Sequence, residues 1–147
     1  MIRTVPTGAL GLDLLLGGGW QLVSRLPERT STTILVRGGP GAGKTLVALH
    51  AAVELAGALD GDVAVGCVEI LPSEYIAQVQ SARPDIADRA VALPGKAPEG
   101  PGVRVFCGLL TELDPDAHDL VAGLEALARD VTAAGGRPVA FVVDSLI

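Results

Sequence analysis

Lys44 and Thr45 close the run Gly38-Gly39-Pro40-Gly41-Ala42-Gly43-Lys44-Thr45. It fits the pattern G-x-x-x-x-G-K-[ST], whose residue types and spacing suit a polyphosphate. Glycines let the backbone turn tightly so that successive N–H groups point at phosphate oxygens, and the N-terminus of a following helix adds a partial positive charge. Lysine at the seventh position reaches the β and γ phosphates, and the hydroxyl after it ligates a bridging Mg2+. Those two roles fall to Lys44 and Thr45. The competing reading is a glycine-rich turn that matches by accident. Only Lys44 and Lys96 are lysines, and this composition gives on the order of 0.003 accidental matches.

Two carboxylates extend the chemistry. Ala140-Phe141-Val142-Val143 is an apolar run ending in Asp144, the Walker B pattern, in which a strand-end aspartate positions Mg2+, usually through water. Hydrolysis also needs a group that orients or deprotonates the attacking water. Many such ATPases carry it as a glutamate directly after the aspartate, but here the next residue is Ser145. Glu69, at the end of an earlier apolar run, is the candidate, against the alternative of a solvated strand-end carboxylate. Glu74 is nearby and reads as a first-turn helix residue favouring the helix dipole.

The elements that must position these groups alternate along the chain. Thr32–Val36 is β-branched and apolar and predicts a strand leading into the loop, and Leu46, Val47, Leu49, Val53 and Leu55 predict a helix over 44–58. Residues 62–69 read as a second strand. Ser73 is placed to cap a helix over 74–81, and a second short helix is expected over 84–92. Residues 94–102 are too rich in proline and glycine for regular structure. Val103–Cys107 predicts a third strand, Leu120, Leu124, Leu127 and Val131 a helix over 116–134 ended by Gly135-Gly136, and residues 138–144 a fourth strand. Apolar strands alternating with helices predict an α/β fold, a mostly parallel sheet with helices on both faces. Ligands of such sheets bind beyond the carboxyl ends of the strands, where the loop, Glu69 and Asp144 would converge.

The 147 residues, 49% of them hydrophobic, suit one domain over 1–147. Mean hydropathy is +0.47, yet no unbroken run of about 18 apolar residues predicts a membrane span, and the first residues lack the apolar core of a signal peptide. A cytoplasmic location is expected. Cys67 and Cys107 each end a predicted strand, where a small buried thiol is the usual occupant, and His50 and His118 read as ordinary helix residues. The net charge of −6 offers no basic field for a nucleic-acid backbone.

Taken together these residues resemble the RecA superfamily of P-loop NTPases, and more narrowly the KaiC-like ATPases. Val5-Pro6-Thr7-Gly8-Ala9-Leu10-Gly11-Leu12-Asp13-Leu14-Leu15-Leu16-Gly17-Gly18-Gly19 is similar to the T-G-x-x-G-L-D-x-L-L-G-G-G segment preceding the loop in that family. Asp144-Ser145 resembles its Walker B ending, and Glu69 to Pro72 its Glu-Glu-x-Pro. The resemblance implies a RecA-like fold, ATP and ADP as ligands, Mg2+, and ring- or filament-like homo-oligomers with an arginine supplied by a neighbouring subunit. Three departures accompany it. Ile70 replaces the second glutamate and removes one candidate base, which leaves slow or absent hydrolysis as an alternative. Trp20–Arg25 reads as an insertion, with Trp20 as its packing residue. The central strand that follows Walker B in the family lies beyond Ile147, which leaves either a sheet incomplete at its C-terminal end or direct pairing of the first and fourth strands. The leading expectation is an ATP-binding and ATP-hydrolysing domain. A nucleotide switch with little turnover and a recombination or helicase accessory ATPase are the alternatives.

Overall fold

The structure is a computed structural model that describes residues 2–23, 33–110 and 118–144. Four strands form one all-parallel sheet in the order β4-β5-β3-β6, where β3 is Asp62–Cys67, β4 Ala90–Ala92, β5 Val105–Leu109 and β6 Pro138–Asp144. Helices cover both faces, as the uninterrupted apolar strands require. Val63, Val65 and Cys67 of β3, Val105 and Cys107 of β5, and Ala140 and Val142 of β6 pack with α2 (Lys44–Ala58) and α3 (Pro72–Ala82). The alternate residues Ala64 and Phe106 point the other way and meet Leu127 and Val131 of α4 (His118–Ala133). A period of two along each strand thus divides one short sequence between two cores.

At the amino ends of the strands a single carboxylate fixes three chain segments. Asp62 is 2% exposed. It accepts from the backbone N–H and Nε of Arg104 at 3.1 Å each, from Arg104 Nη2 at 2.8 Å and from the Arg137 N–H at 2.8 Å. The entries to β3, β5 and β6 are therefore held together at the end of the sheet away from the glycine loop.

The N-terminal segment forms an antiparallel pair, β1 (Ile2–Val5) with β2 (Trp20–Val23), joined through α1 (Leu10–Leu15). Trp20–Val23, expected as part of an insertion, is the second strand of this hairpin. Gly19 makes the return possible: its φ is +139° and a Cβ there would lie 2.1 Å from the Val5 carbonyl oxygen. Asp13 Oδ1 accepts the Thr7 N–H at 2.6 Å, and Gly8, φ +87°, lies against His50 of α2. The hairpin is thereby seated beside the loop-bearing helix.

Several expectations are corrected. Of the strand expected at Thr32–Val36, residues 33–36 form no strand and pair with none of the sheet, while Thr32 lies outside the described residues. The outer edge of β6 has no strand partner among the described residues, so direct pairing of the first and fourth strands does not occur there. A β-branched run has no ladder of its own; without a partner its propensity is not expressed. The short helix expected over 84–92 divides into a 3-10 turn, Pro84–Arg89, and β4. That division follows the partner: Ala90, Val91 and Ala92 pair with Val105, Phe106 and Cys107. Ser73 does not cap α3. The helix starts at Pro72, and Glu74 Oε2 accepts the Leu71 N–H at 3.2 Å. Cys107 sits inside β5 rather than at its end, because that strand runs on to Leu109.

Candidate functional site

The glycine loop opens directly into α2. Gly41 and Gly43 have φ of +73° and +84°, in the left-handed region that favours glycine, and a Cβ at either would meet nothing within 4 Å. The Ala42 N–H donates to the Gly39 carbonyl at 3.2 Å and closes the turn. Gly43 is the N-cap of α2 and has no side chain with which to satisfy the first N–H groups of the helix. Those donors, together with the helix dipole, make a site suited to an anion.

Lys44 folds back over this loop. Its Nζ donates to the carbonyls of Gly38 at 2.8 Å and Gly39 at 2.9 Å. The ammonium therefore already lies beside the loop backbone, held by neutral acceptors that an anionic oxygen would outcompete.

Thr45 and Asp144, 99 positions apart, meet directly. Thr45 Oγ1 donates to Asp144 Oδ2 at 2.8 Å. Asp144 is brought there by β6, whose last residue lies opposite Cys67 in register, and its carbonyl oxygen accepts the Val68 N–H at 2.9 Å. The pair presents a hydroxyl and a carboxylate, both hard oxygen donors of the kind Mg2+ takes. Among the described residues no three His, Cys, Asp or Glu side chains form a metal cage. A metal at this point would need further oxygens, and Mg2+ commonly draws these from water and substrate phosphates. The donor set fits Mg2+ on those terms.

Glu69 is exposed and lies two residues past the end of β3, at the same carboxyl edge as Asp144. Ile70, which stands where a second glutamate was expected, packs against the core instead. Glu74 belongs to the start of α3, as expected. The structure thus brings the glycine loop, Lys44, Thr45 and Asp144 together and sets Glu69 at the same carboxyl edge of the sheet.

The two cysteines are buried and free. Burial, and then the nearby Asp144 charge, push the Cys67 thiol up to about 11, and burial raises Cys107 as well. Both stay protonated near neutral pH, which fits packing rather than nucleophilic chemistry.

Reasoning from sequence overlooked three participants. Arg83 donates to Glu54 of α2 at 3.2 Å and to Asp85 at 2.9 Å, and its Nη1 lies 3.4 Å from His50 Nδ1, tying the loop helix to the end of α3. Tyr75 is wholly buried under the carboxyl end of the sheet. Asp62 anchors the opposite end. Only Asp62 left a sequence signal, a carboxylate opening an otherwise apolar strand.

Among the described residues no helix is long and apolar enough to cross a membrane. Comparison of the chain with protein-family models, with curated proteins and with solved structures finds no match, so the functional reading rests on the geometry of the loop, Lys44, Thr45 and Asp144.

Proposed function

We propose that this chain is an ATP-binding and ATP-hydrolysing P-loop domain of the RecA/KaiC type. The observation that carries the reading is the Thr45–Asp144 hydrogen bond at the mouth of the glycine loop. A chance G-x-x-x-x-G-K-T run has no reason to meet the last residue of a distant strand. The resemblance of residues 5–19 to the KaiC-like ATPases supports the same reading, as does the parallel sheet flanked by helices.

In this reading the loop N–H groups and the α2 N-terminus bind the phosphates, and Lys44 leaves the Gly38 and Gly39 carbonyls for the β and γ oxygens. Thr45 and Asp144 would hold Mg2+, which would supply positive charge to offset that of the phosphates. Glu69 would orient a water in line with the γ-phosphorus and take its proton; the new P–O bond forms as the bond from the γ-phosphorus to the bridging oxygen breaks, and ADP and inorganic phosphate leave. Assembly of several copies, with an arginine from a neighbouring subunit at each site, belongs to the same proposal.

A nucleotide switch with little turnover is the second reading, favoured by Ile70 being turned into the core. Titration of ATP with and without Mg2+ into the wild type, Thr45→Ala and Asp144→Asn tests the main reading. Both variants should keep Mg2+-free binding and lose roughly tenfold or more of the Mg2+-dependent gain. A full gain in both would remove the assignment of the pair. Turnover then separates the two readings: a wild-type rate that falls in Glu69→Gln supports hydrolysis, whereas equal rates remove Glu69 from it.

A further inference from the structure

Tyr75 is the fourth residue of α3 and has no exposed surface. Its ring packs in the core cluster that contains Val65, Cys67, Cys107 and Val142, and its hydroxyl has no hydrogen-bond partner among the described residues. Phenylalanine would fill the same volume without that cost, since a buried polar group left unmatched is unfavourable. The hydroxyl therefore calls for a function.

The strand register says what lies near it. Asp144 stands opposite Cys67, and the alternation of the strands turns Val65, Cys67, Val142 and Asp144 toward the α2 and α3 side of the sheet. Tyr75 reaches this row from the α3 side, and Thr45 meets Asp144 from the α2 side. Burial foremost, then the nearby Asp144 carboxylate, keep the phenol protonated, so it can act as a donor. Of these groups only Asp144 is a strong acceptor, and the two thiols are weak partners. A buried water needs about two to four polar partners, and the register offers the Asp144 carboxylate and the Cys67 thiol as candidates on the side from which Tyr75 approaches.

We propose that Tyr75 is a positioning residue: its hydroxyl donates through a bound water to Asp144 and fixes that carboxylate for the Mg2+ of a bound nucleotide. This rests on the nucleotide reading above. Carboxylates that serve a metal are themselves oriented by surrounding hydrogen bonds, and loss of such a bond typically lowers metal affinity about 10- to 100-fold.

Tyr75 is the only tyrosine in the chain, so a 3-fluorotyrosine label reports on this position alone. Fluorine NMR of the labelled full chain would be recorded with ATP plus EDTA and with ATP plus Mg2+, beside calorimetry of the wild type and Tyr75→Phe. The expected result is a resonance that moves with Mg2+-ATP and not with Mg2+-free ATP. Tyr75→Phe should lose about tenfold of the Mg2+-dependent gain while its Mg2+-free affinity is unchanged. A purely structural hydroxyl would alter thermal stability and leave that gain intact. If the wild type binds Mg2+-ATP while its resonance stays fixed, the role of Tyr75 is overturned and the nucleotide reading stands. If the wild type binds no Mg2+-ATP, both fall. Should Tyr75→Phe fail to fold, the wild-type resonance decides alone.

Discussion

Asp62 and Asp144 are both strand carboxylates, yet their surroundings assign them opposite work. Asp144 ends its strand beside a hydroxyl and stays half-buried at the mouth of the glycine loop. Asp62 opens its strand under four donors. Burial alone would raise the Asp62 carboxyl, but the Arg104 guanidinium and the backbone N–H groups of Arg137 and Arg104 outweigh it and hold the group below its ordinary 3.8. A carboxyl depressed in the folded state stabilises fully above its unfolded value, and that contribution is lost as pH falls through the folded one. Urea denaturation should therefore show stability falling as pH drops from about 4, with a shallower fall in Asp62→Asn. At pH 7 the same variant should cost roughly 2–3 kcal/mol. An unchanged midpoint would show that the four hydrogen bonds contribute nothing net.

Among the elements, α2 and α4 serve opposite faces of one sheet, and this separates stability from binding. Leu127 and Val131 are the buried residues through which α4 meets Ala64 and Phe106. Leu127→Ala should cost about 2–4 kcal/mol in denaturant titration and leave ATP affinity unaltered, because the Thr45–Asp144 pair lies on the α2 side. A loss of affinity in the folded variant would mean that the two faces are coupled. This division also explains what was legible in the sequence. The bounds of α2 and β6 were readable because each carries its own signals: Gly43 before one, Gly135-Gly136 and a terminal aspartate around the other. Residues 33–36 misled because a strand is defined by its partner, and β4 was missed because three residues became a strand only by lying beside β5. The meeting of Thr45 with Asp144 was foreseeable from the rule that parallel sheets gather function at their carboxyl ends. Tyr75 was not, since nothing in a sequence tells a satisfied buried hydroxyl from an orphaned one.

For the whole molecule, charge sets the choice of partners. A chain with 17 acidic and 11 basic residues is expected to repel a phosphate backbone at long range, and in the proposed reading the loop supplies short-range donors that favour phosphate. Fluorescence anisotropy with labelled single- and double-stranded DNA should show no saturable binding near physiological salt, and DNA should not raise ATP turnover. DNA-stimulated turnover would instead bring forward the recombination or helicase accessory reading. The central claim is that the glycine loop, with Lys44 above it and Thr45 and Asp144 beside it, is a working nucleotide site. Calorimetric titration of Mg2+-ATP into the folded wild type beside a folded Lys44→Ala tests it most directly. The account predicts saturable one-site binding that is lost or weakened at least tenfold in the variant, a change of about 1.4 kcal/mol or more. Equal binding by both proteins, or none by a wild type that circular dichroism shows to be folded, would contradict it.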